Sequence, residues 1–148
     1  MVWGCITPNG VGPLVRLEGK VNSAKYLQVI QDTIAPAFNT FKEQEPQAIF
    51  QQDNAPIHKG KKAMAGMVEA GIPLLPWPAY SPDLNPLENI LERKIRAHYP
   101  LPKNQDELWA LLQEEWRKIS VEECRDLIGS LPKRLQECIR KHEWSTKY

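Results

Sequence analysis

The sequence predicts a mixed α/β domain whose C-terminal part is helical. Near the N-terminus, short apolar runs alternate with turns that contain proline and glycine, which is typical of strands. From Asn22 onward the apolar residues recur at helical spacing. In the second half, Asn85, Asn104 and Ser120 each stand three residues before a glutamate, which is the pattern of a helix start.

The first predicted elements are two strands, residues 2–6 and 14–17. Proline and glycine lie between them and favour a turn, so we expect an antiparallel hairpin. Helical spacing follows, with Asn22 or Ser23 as the N-cap. Pro36 is expected to disturb the far end of this helix, because proline removes a backbone donor.

The middle of the chain predicts a strand, a helix and another strand. Residues 48–50 form a buried strand that leads to Asp53. Residues 59–70 form a helix that Gly71 closes. Residues 72–78 form a strand at a sheet edge, because prolines interrupt it. We therefore expect the order β-β-α-β-α-β followed by several helices, in one domain spanning residues 1–148.

Composition and charge set limits on the class of protein. The 148 residues are 42% hydrophobic and 25% charged, which is typical of a globular domain. The net charge of +1 means that any nucleic-acid contact must use local basic patches. The three cysteines are odd in number and widely spaced, which fits a reducing intracellular setting, nuclear or cytoplasmic. No apolar run is long enough to span a membrane, and no targeting signal is visible.

Two segments place a carboxylate where a regular element ends or begins. Asp53 follows a predicted strand and Glu88 lies in the first turn of a predicted helix, with 34 residues between them. Carboxylates on separate rigid elements suit Mg²⁺ and phosphoryl chemistry. Each residue also has a simpler interpretation, since Asp53 suits a turn and Glu88 suits a capping box.

Polar and basic residues flank both carboxylates. His58 either contacts phosphate or orients a ligand, or it is an ordinary partnered histidine. Nearby basic residues are candidates for DNA contact, or else solvated helix faces. They are Lys59, Lys61, Lys62, Arg93 and Lys94. The residues expected to fix the loops around the carboxylates are Asn54, Pro56, Asp83, Asn85 and Pro86.

Six short segments spread over the chain form a specific set. They are Val2-Trp3-Gly4-Cys5, Gly12-Pro13-Leu14, Gln51-Gln52-Asp53-Asn54-Ala55-Pro56-Ile57-His58, Leu75-Pro76-Trp77-Pro78-Ala79, Ser81-Pro82-Asp83-Leu84-Asn85-Pro86-Leu87-Glu88-Asn89 and Thr146-Lys147-Tyr148. Together they resemble the catalytic domain of Tc1/mariner-type DNA transposases. The two central motifs at their separation are the most specific part of this resemblance.

The resemblance implies an RNase H-like fold, with a mixed sheet, flanking helices and a D,D,E carboxylate triad. In that family the triad binds Mg²⁺ or Mn²⁺, cuts DNA at transposon ends and joins the freed 3′-OH to target DNA. Asp53 matches the second carboxylate and Glu88 the third. The implied partners are DNA, as transposon ends and target, and a second transposase chain or a further copy of this one.

The sequence departs from the family pattern in three respects. The family's first catalytic Asp lies on a strand before the Val2-Trp3-Gly4 segment, so we expect that first, central strand to be missing here. The helix-turn-helix region that recognises transposon ends is also absent from the 148 residues. Leu91 stands where the family usually has Trp. The chain is therefore expected to be a partial catalytic domain with impaired cleavage and strand transfer.

Two other functions stay open from the sequence. One is a non-catalytic module that binds DNA or a transposase through its basic C-terminal helices. The other, a weaker hypothesis, is an RNase H-type nuclease of different specificity.

Overall fold

The structure, a computed structural model, describes residues 1–77 and 86–145. Within these residues, some side chains of the fifth and eighth helices are not described. The chain forms two compact units, which we describe separately. The first comprises Met1–Trp3 and Val15–Pro82, and the second comprises Gly4–Leu14 and Asp83–Tyr148.

The predicted N-terminal hairpin is confirmed. Strand β1 is Val2–Thr7 and strand β2 is Gly10–Arg16, and the two pair with each other. Strand β2 begins earlier than expected. The turn is tight because the Thr7 hydroxyl donates to the Gly10 carbonyl at 3.2 Å, and because Gly10 adopts a φ of 128°, which glycine tolerates best.

The helix predicted from Asn22 is longer than expected. Helix α1 is Ser23–Val29, a wider π-type turn follows at Ile30–Ile34, and helix α2 is Ala35–Gln44. The Asn22 side chain caps α1 by accepting from the Ala24 and Lys25 amides at 3.0 and 2.9 Å. The expectation that Pro36 disturbs the far end of this helix is confirmed in part: the π-type turn lies directly before Ala35 and Pro36, but the chain stays helical to Gln44. Proline lacks the amide hydrogen that a regular helical turn would use, which is consistent with the wider turn at this place.

The helix predicted over residues 59–70 is two helices, α3 at Pro56–Lys59 and α4 at Lys61–Glu69. Gly60 separates them in an extended conformation, with φ −59° and ψ 140°. A Cβ atom at Gly60 would collide with the Ser23 side chain, so the break lies where α1 approaches closely. The predicted closure at Gly71 is confirmed, since its φ of 64° follows the end of α4.

The predicted strands at 48–50 and 72–78 reduce to a single parallel bridge between Phe50 and Leu74 in the described residues. The Phe50 amide donates to the Pro73 carbonyl, and the Leu75 amide donates to the Phe50 carbonyl, both at 2.8 Å. Pro73 and Pro76 have no amide hydrogen, so pairing cannot extend along this segment in the usual way. The bridge still fixes the backbone just before Asp53. Pro78 lies outside the described residues.

The core of the first unit forms between the helices and this bridge. Its most buried side chains belong to α1, the π-type turn and α4, and each is at most 1% exposed. They are Tyr26, Ile30, Ile34, Ala63 and Met67.

In the part of the second unit that the structure describes there are four helices, where the sequence predicted several. They are α5 at Pro86–Arg96, α6 at Gln105–Arg117, α7 at Val121–Gly129 and α8 at Leu131–Ser145. The predicted caps at Asn104 and Ser120 are confirmed, and Ser120 with Glu123 forms a complete capping box. The predicted cap at Asn85 lies outside the described residues.

Ile90, Trp116, Ile119 and Cys124 form the core of the second unit. Burial raises the pKa of the Cys124 thiol, and it raises the pKa of the Cys5 thiol to about 12. Both thiols therefore stay protonated at neutral pH. Among the described helices, none is both long and apolar enough to cross a membrane.

One acidic side chain is buried in the second unit. Glu115 is 6% exposed, and its Oε1 accepts from Lys118 Nζ at 2.8 Å and from His98 Nε2 at 3.1 Å. The Lys118 hydrogen bond, partly opposed by desolvation and helped by His98, lowers the pKa of Glu115 below its ordinary 4.5. Folding therefore favours the ionised carboxylate.

The Glu115→Gln substitution should reduce the acid sensitivity of the fold. Because the pKa of Glu115 is lowered on folding, its stabilisation is present above the ordinary value of 4.5 and is lost as the pH falls through the folded value. Urea unfolding at pH 7 and pH 3 checks this. We expect the variant to lose stability at pH 7 but to show a smaller change between the two pH values. An equal pH dependence in both proteins would contradict the assignment.

Candidate metal site

Asp53 follows the Phe50 bridge at a turn into helix α3. Its Oδ1 atom accepts a hydrogen bond from the Ala55 amide at 3.0 Å, which is typical of an aspartate that holds a turn. The side chain is 39% exposed, so the carboxylate remains accessible to solvent. Within the described parts of the chain, the hydrogen bonds to this carboxylate fall on Oδ1, and Oδ2 accepts none.

His58 lies against Asp53. Its Nδ1 atom is 2.6 Å from Asp53 Oδ1 and 3.3 Å from the Asp53 backbone carbonyl oxygen. The histidine side chain is only 15% exposed. The contact arises because Pro56 starts helix α3, and this short helix turns residue 58 back toward residue 53. The carboxylate is thus held from two directions, by a backbone amide and by an imidazole.

The ring of Tyr26 packs against the imidazole of His58. The two ring centroids are 4.4 Å apart, at an interplanar angle of 41°. Tyr26 is 1% exposed, and its hydroxyl donates to Gln52 Oε1 at 2.7 Å. The helical spacing that begins at Asn22 includes Tyr26 as an apolar position, but it indicates no role at the site for Tyr26 or Gln52. The signal that could have identified this pair is the position of Tyr26 on a buried helix face, since a buried hydroxyl needs a hydrogen-bond partner.

The residues expected to fix the loops lie in different parts of the structure. Asn54 Nδ2 donates to the Trp77 carbonyl at 2.8 Å, which ties the Asp53 turn to the segment after the bridge. Pro56 is the first residue of α3. Pro86 and Glu88 lie in the first turn of α5, but their side chains are outside the described set. Asp83 and Asn85 lie outside the described residues altogether.

The basic candidates fall into two groups. Lys59, Lys61 and Lys62 are exposed at the junction of α3 and α4, and no ion pair involves them in the described parts of the chain. Arg93 is also exposed, on α5. Lys94 is bound instead to Glu123 at 3.1 Å. The three lysines are therefore the basic groups near Asp53 in sequence that are available for an anionic partner.

The Asp53 carboxylate is compatible with binding of a divalent metal ion. Mg²⁺ and Mn²⁺ prefer oxygen ligands and often use only one or two carboxylates, with water and substrate completing the shell. Asp53 offers a fixed, half-exposed carboxylate with Oδ2 available, so it fits such a cation. No group of three or more His, Cys, Asp or Glu side chains is preassembled among the described residues.

Comparisons with known proteins show which family the chain belongs to. A family model described as DDE superfamily endonuclease matches residues 1–109. The Tc1 transposase of Caenorhabditis elegans is 34% identical over 154 residues, covering 100% of this chain and 54% of that protein. The chain thus spans about half the length of this relative.

Solved structures match as well. The Mos1 transposase catalytic domain with raltegravir and Mg superimposes with a TM-score of 0.78 at 22% identity, covering 95% of this chain and 73% of that chain. A Mos1 paired-end complex with left transposon end has a TM-score of 0.75 at 23% identity, covering 95% of this chain and 42% of that chain.

The chain belongs to the DDE superfamily endonuclease family. The curated relatives that match it, among them the Tc1 transposase, support the Tc1/mariner-type transposases as its subgroup. The fold is the RNase H-like fold of the Mos1 catalytic domain, so the predicted fold class is confirmed.

Proposed function

We propose that residues 1–148 act as the metal-binding part of a transposase catalytic domain. Asp53 and Glu88 hold Mg²⁺ or Mn²⁺, and the substrate is DNA at transposon ends and at the target. The observation that carries the proposal is the Asp53 carboxylate, fixed through Oδ1 and available through Oδ2. The role of Glu88 is supported by the family motif, in which it matches the third carboxylate.

The proposed chemistry divides between the cation and the chain. A bound divalent ion would stabilise charge on the transferring phosphoryl group and activate the attacking oxygen. Asp53 accepts a hydrogen bond from the Ala55 amide through Oδ1, so Oδ2 would be the oxygen available to hold such an ion. The lysines at the junction of α3 and α4 hold phosphates of the DNA backbone.

The 148 residues match two carboxylates of the three that the family uses. A site with two ligands binds metal more weakly, so we expect these residues alone to cleave DNA poorly. Labelled transposon-end DNA incubated with the chain and Mg²⁺ or Mn²⁺ tests this. Weak or undetectable cleavage is expected. Robust cleavage that Asp53→Asn abolishes would support the metal site and refute the impairment.

Removing the lysine charges should weaken DNA binding and its salt dependence. Each phosphate contact contributes about 0.9 to the slope of log K against log salt for duplex DNA, so losing three lowers the slope by up to about 2.7. The variant is Lys59→Gln, Lys61→Gln and Lys62→Gln combined. Titration of fluorescent duplex DNA between low and physiological salt measures both effects.

A control for this variant loses the same charge elsewhere. Lys20, Lys42 and Lys103 are exposed residues outside the junction of α3 and α4, and their combined change to Gln should leave the slope nearly as in the unmodified chain. Equal slopes in both variants would show that the junction lysines make no specific phosphate contact. DNA binding that is unaffected by Asp53→Asn and by metal would favour the second candidate, a non-catalytic DNA-binding module.

A further inference from the structure

We propose that His58, supported by Tyr26, is a positioning residue for Asp53. In this arrangement, its Nδ1–H engages Oδ1 and so leaves Oδ2 to face the cation. This inference rests on the proposed function, because it assumes a divalent ion at Asp53. It assigns to His58 a role through Asp53 rather than direct contact with DNA.

The hydrogen-bond pattern determines which imidazole nitrogen carries the hydrogen. Nδ1 faces two oxygens of Asp53, the carboxylate Oδ1 at 2.6 Å and the backbone carbonyl at 3.3 Å. A carbonyl oxygen and an ionised carboxylate oxygen only accept hydrogen bonds. Nδ1 must therefore be the donor. The short distance to Oδ1 is that of a strong, charge-assisted hydrogen bond.

Burial and ring packing make this donor rigid. His58 is 15% exposed at its side chain, and its ring lies 4.4 Å from the Tyr26 ring. Tyr26 is in turn immobilised, because it is 1% exposed and its hydroxyl is bonded to Gln52. Gln52 directly precedes Asp53 in the chain, so these contacts link His58 through Tyr26 to the segment that carries Asp53. Rotation of the imidazole would break the Oδ1 contact and the ring packing together.

The consequence is a fixed orientation for the carboxylate. The Ala55 amide and His58 Nδ1 both engage Oδ1, and together they restrict rotation of the Asp53 side chain. Partners of this kind that orient a metal ligand commonly change metal affinity 10–100-fold when they are removed. His58 should therefore affect metal affinity without touching the metal.

Two substitutions, each of which keeps an amide near the position of one imidazole nitrogen, separate a positioning role from direct contact with the metal or DNA. In His58→Asn, the amide nitrogen lies near the position of Nδ1 and can still donate to Asp53. In His58→Gln, the amide lies near the position of Nε2 and cannot replace that donor. The probe is Mn²⁺ alone, titrated into the full chain and followed by the electron paramagnetic resonance signal of free Mn²⁺. Circular dichroism establishes that each variant is folded.

We expect His58→Asn to bind Mn²⁺ within about threefold of the unmodified chain and His58→Gln to bind about tenfold more weakly. The reverse order would overturn the proposal, since it would show that Nε2 is the functional atom. Equal affinities in both variants and the unmodified chain would overturn it too. If Asp53→Asn weakens binding while His58→Gln does not, the positioning role fails and the metal site stands. If Asp53→Asn has no effect on Mn²⁺ binding, both fail.

A second measurement does not depend on metal. Nitrogen-15 spectra of the neutral imidazole in the metal-free chain distinguish the two tautomers. The proposal requires hydrogen on Nδ1 of His58. A spectrum in which Nε2 carries the hydrogen would overturn the proposal, whatever the affinity data show.

Discussion

Asp53→Asn should weaken Mn²⁺ binding by at least about 100-fold. Removing a residue that only orients a metal ligand costs up to about 100-fold, and here the proposed ligand itself loses its charge. Asparagine has nearly the same shape and retains an oxygen that can accept from the Ala55 amide at the same place in the turn. The substitution therefore removes charge rather than structure. Mn²⁺ titration measures the affinity, and thermal unfolding without metal measures the stability.

Asp32→Asn is the matched control for this prediction. Asp32 lies in the π-type turn and is exposed. Its substitution by asparagine is the same chemical change with the same loss of charge. We expect its Mn²⁺ affinity to equal that of the unmodified chain. An equal loss in both variants would mean that the metal responds to overall charge and that Asp53 is not a ligand.

Trp116→Ala should destabilise the chain by about 3–5 kcal/mol, the usual cost of removing a buried tryptophan. Trp116 is 5% exposed in the core of the second unit. Its ring lies so close to Gly4 of β1 that an added Cβ there would be 3.0 Å from the ring. A domain is commonly stable by only about 5–15 kcal/mol, so this one change removes much of the total. Urea unfolding measures it.

Trp116→Phe separates the hydrogen bond from the packing. The indole Nε1 donates to the Gly12 carbonyl at 2.9 Å, which phenylalanine cannot do. An unpaired buried group costs about 1–3 kcal/mol, so this variant should lie between the unmodified chain and Trp116→Ala. Val68→Ala, at a residue that is 77% exposed, should change little. A cost for Trp116→Ala no larger than that of Val68→Ala would contradict the packing described here.

The sequence predicted the local features that depend on short-range chemistry. Asn104 and Ser120 cap helices as expected, because a side-chain oxygen that accepts from free amides acts within one turn. The N-terminal hairpin followed from its turn residues in the same way. The Gly60 break did not follow from local chemistry, since it depends on how closely α1 approaches.

The effects of the prolines could be predicted only in part from the sequence. Pro36 was expected to disturb the far end of the first helix, and a π-type turn does lie directly before it, but the chain continues into α2. The prolines of residues 72–77 were expected to leave an edge strand, but they reduced it to one bridge. In both cases the outcome depends on backbone hydrogen bonds that are settled by tertiary structure rather than by residue type.

The candidate site was partly predictable. Asp53 was identified from its position after a strand and before an Asn-Ala-Pro turn, and its partner His58 was considered as an orienting residue. The support by Tyr26 and Gln52 could not be predicted, because Tyr26 is 26 residues from Gln52 in sequence and only the fold brings them into contact.

The central proposal, which rests on the family motif, is that Asp53 and Glu88 are both metal ligands, and a double-substitution cycle tests it most directly. Mn²⁺ affinity is measured for Asp53→Asn, Glu88→Gln and the two combined. If both residues bind one ion, the combined variant should be much less impaired than the sum of the single effects, because the first substitution already removes the site. Strictly additive losses, or an unchanged affinity in Glu88→Gln, would contradict the claim.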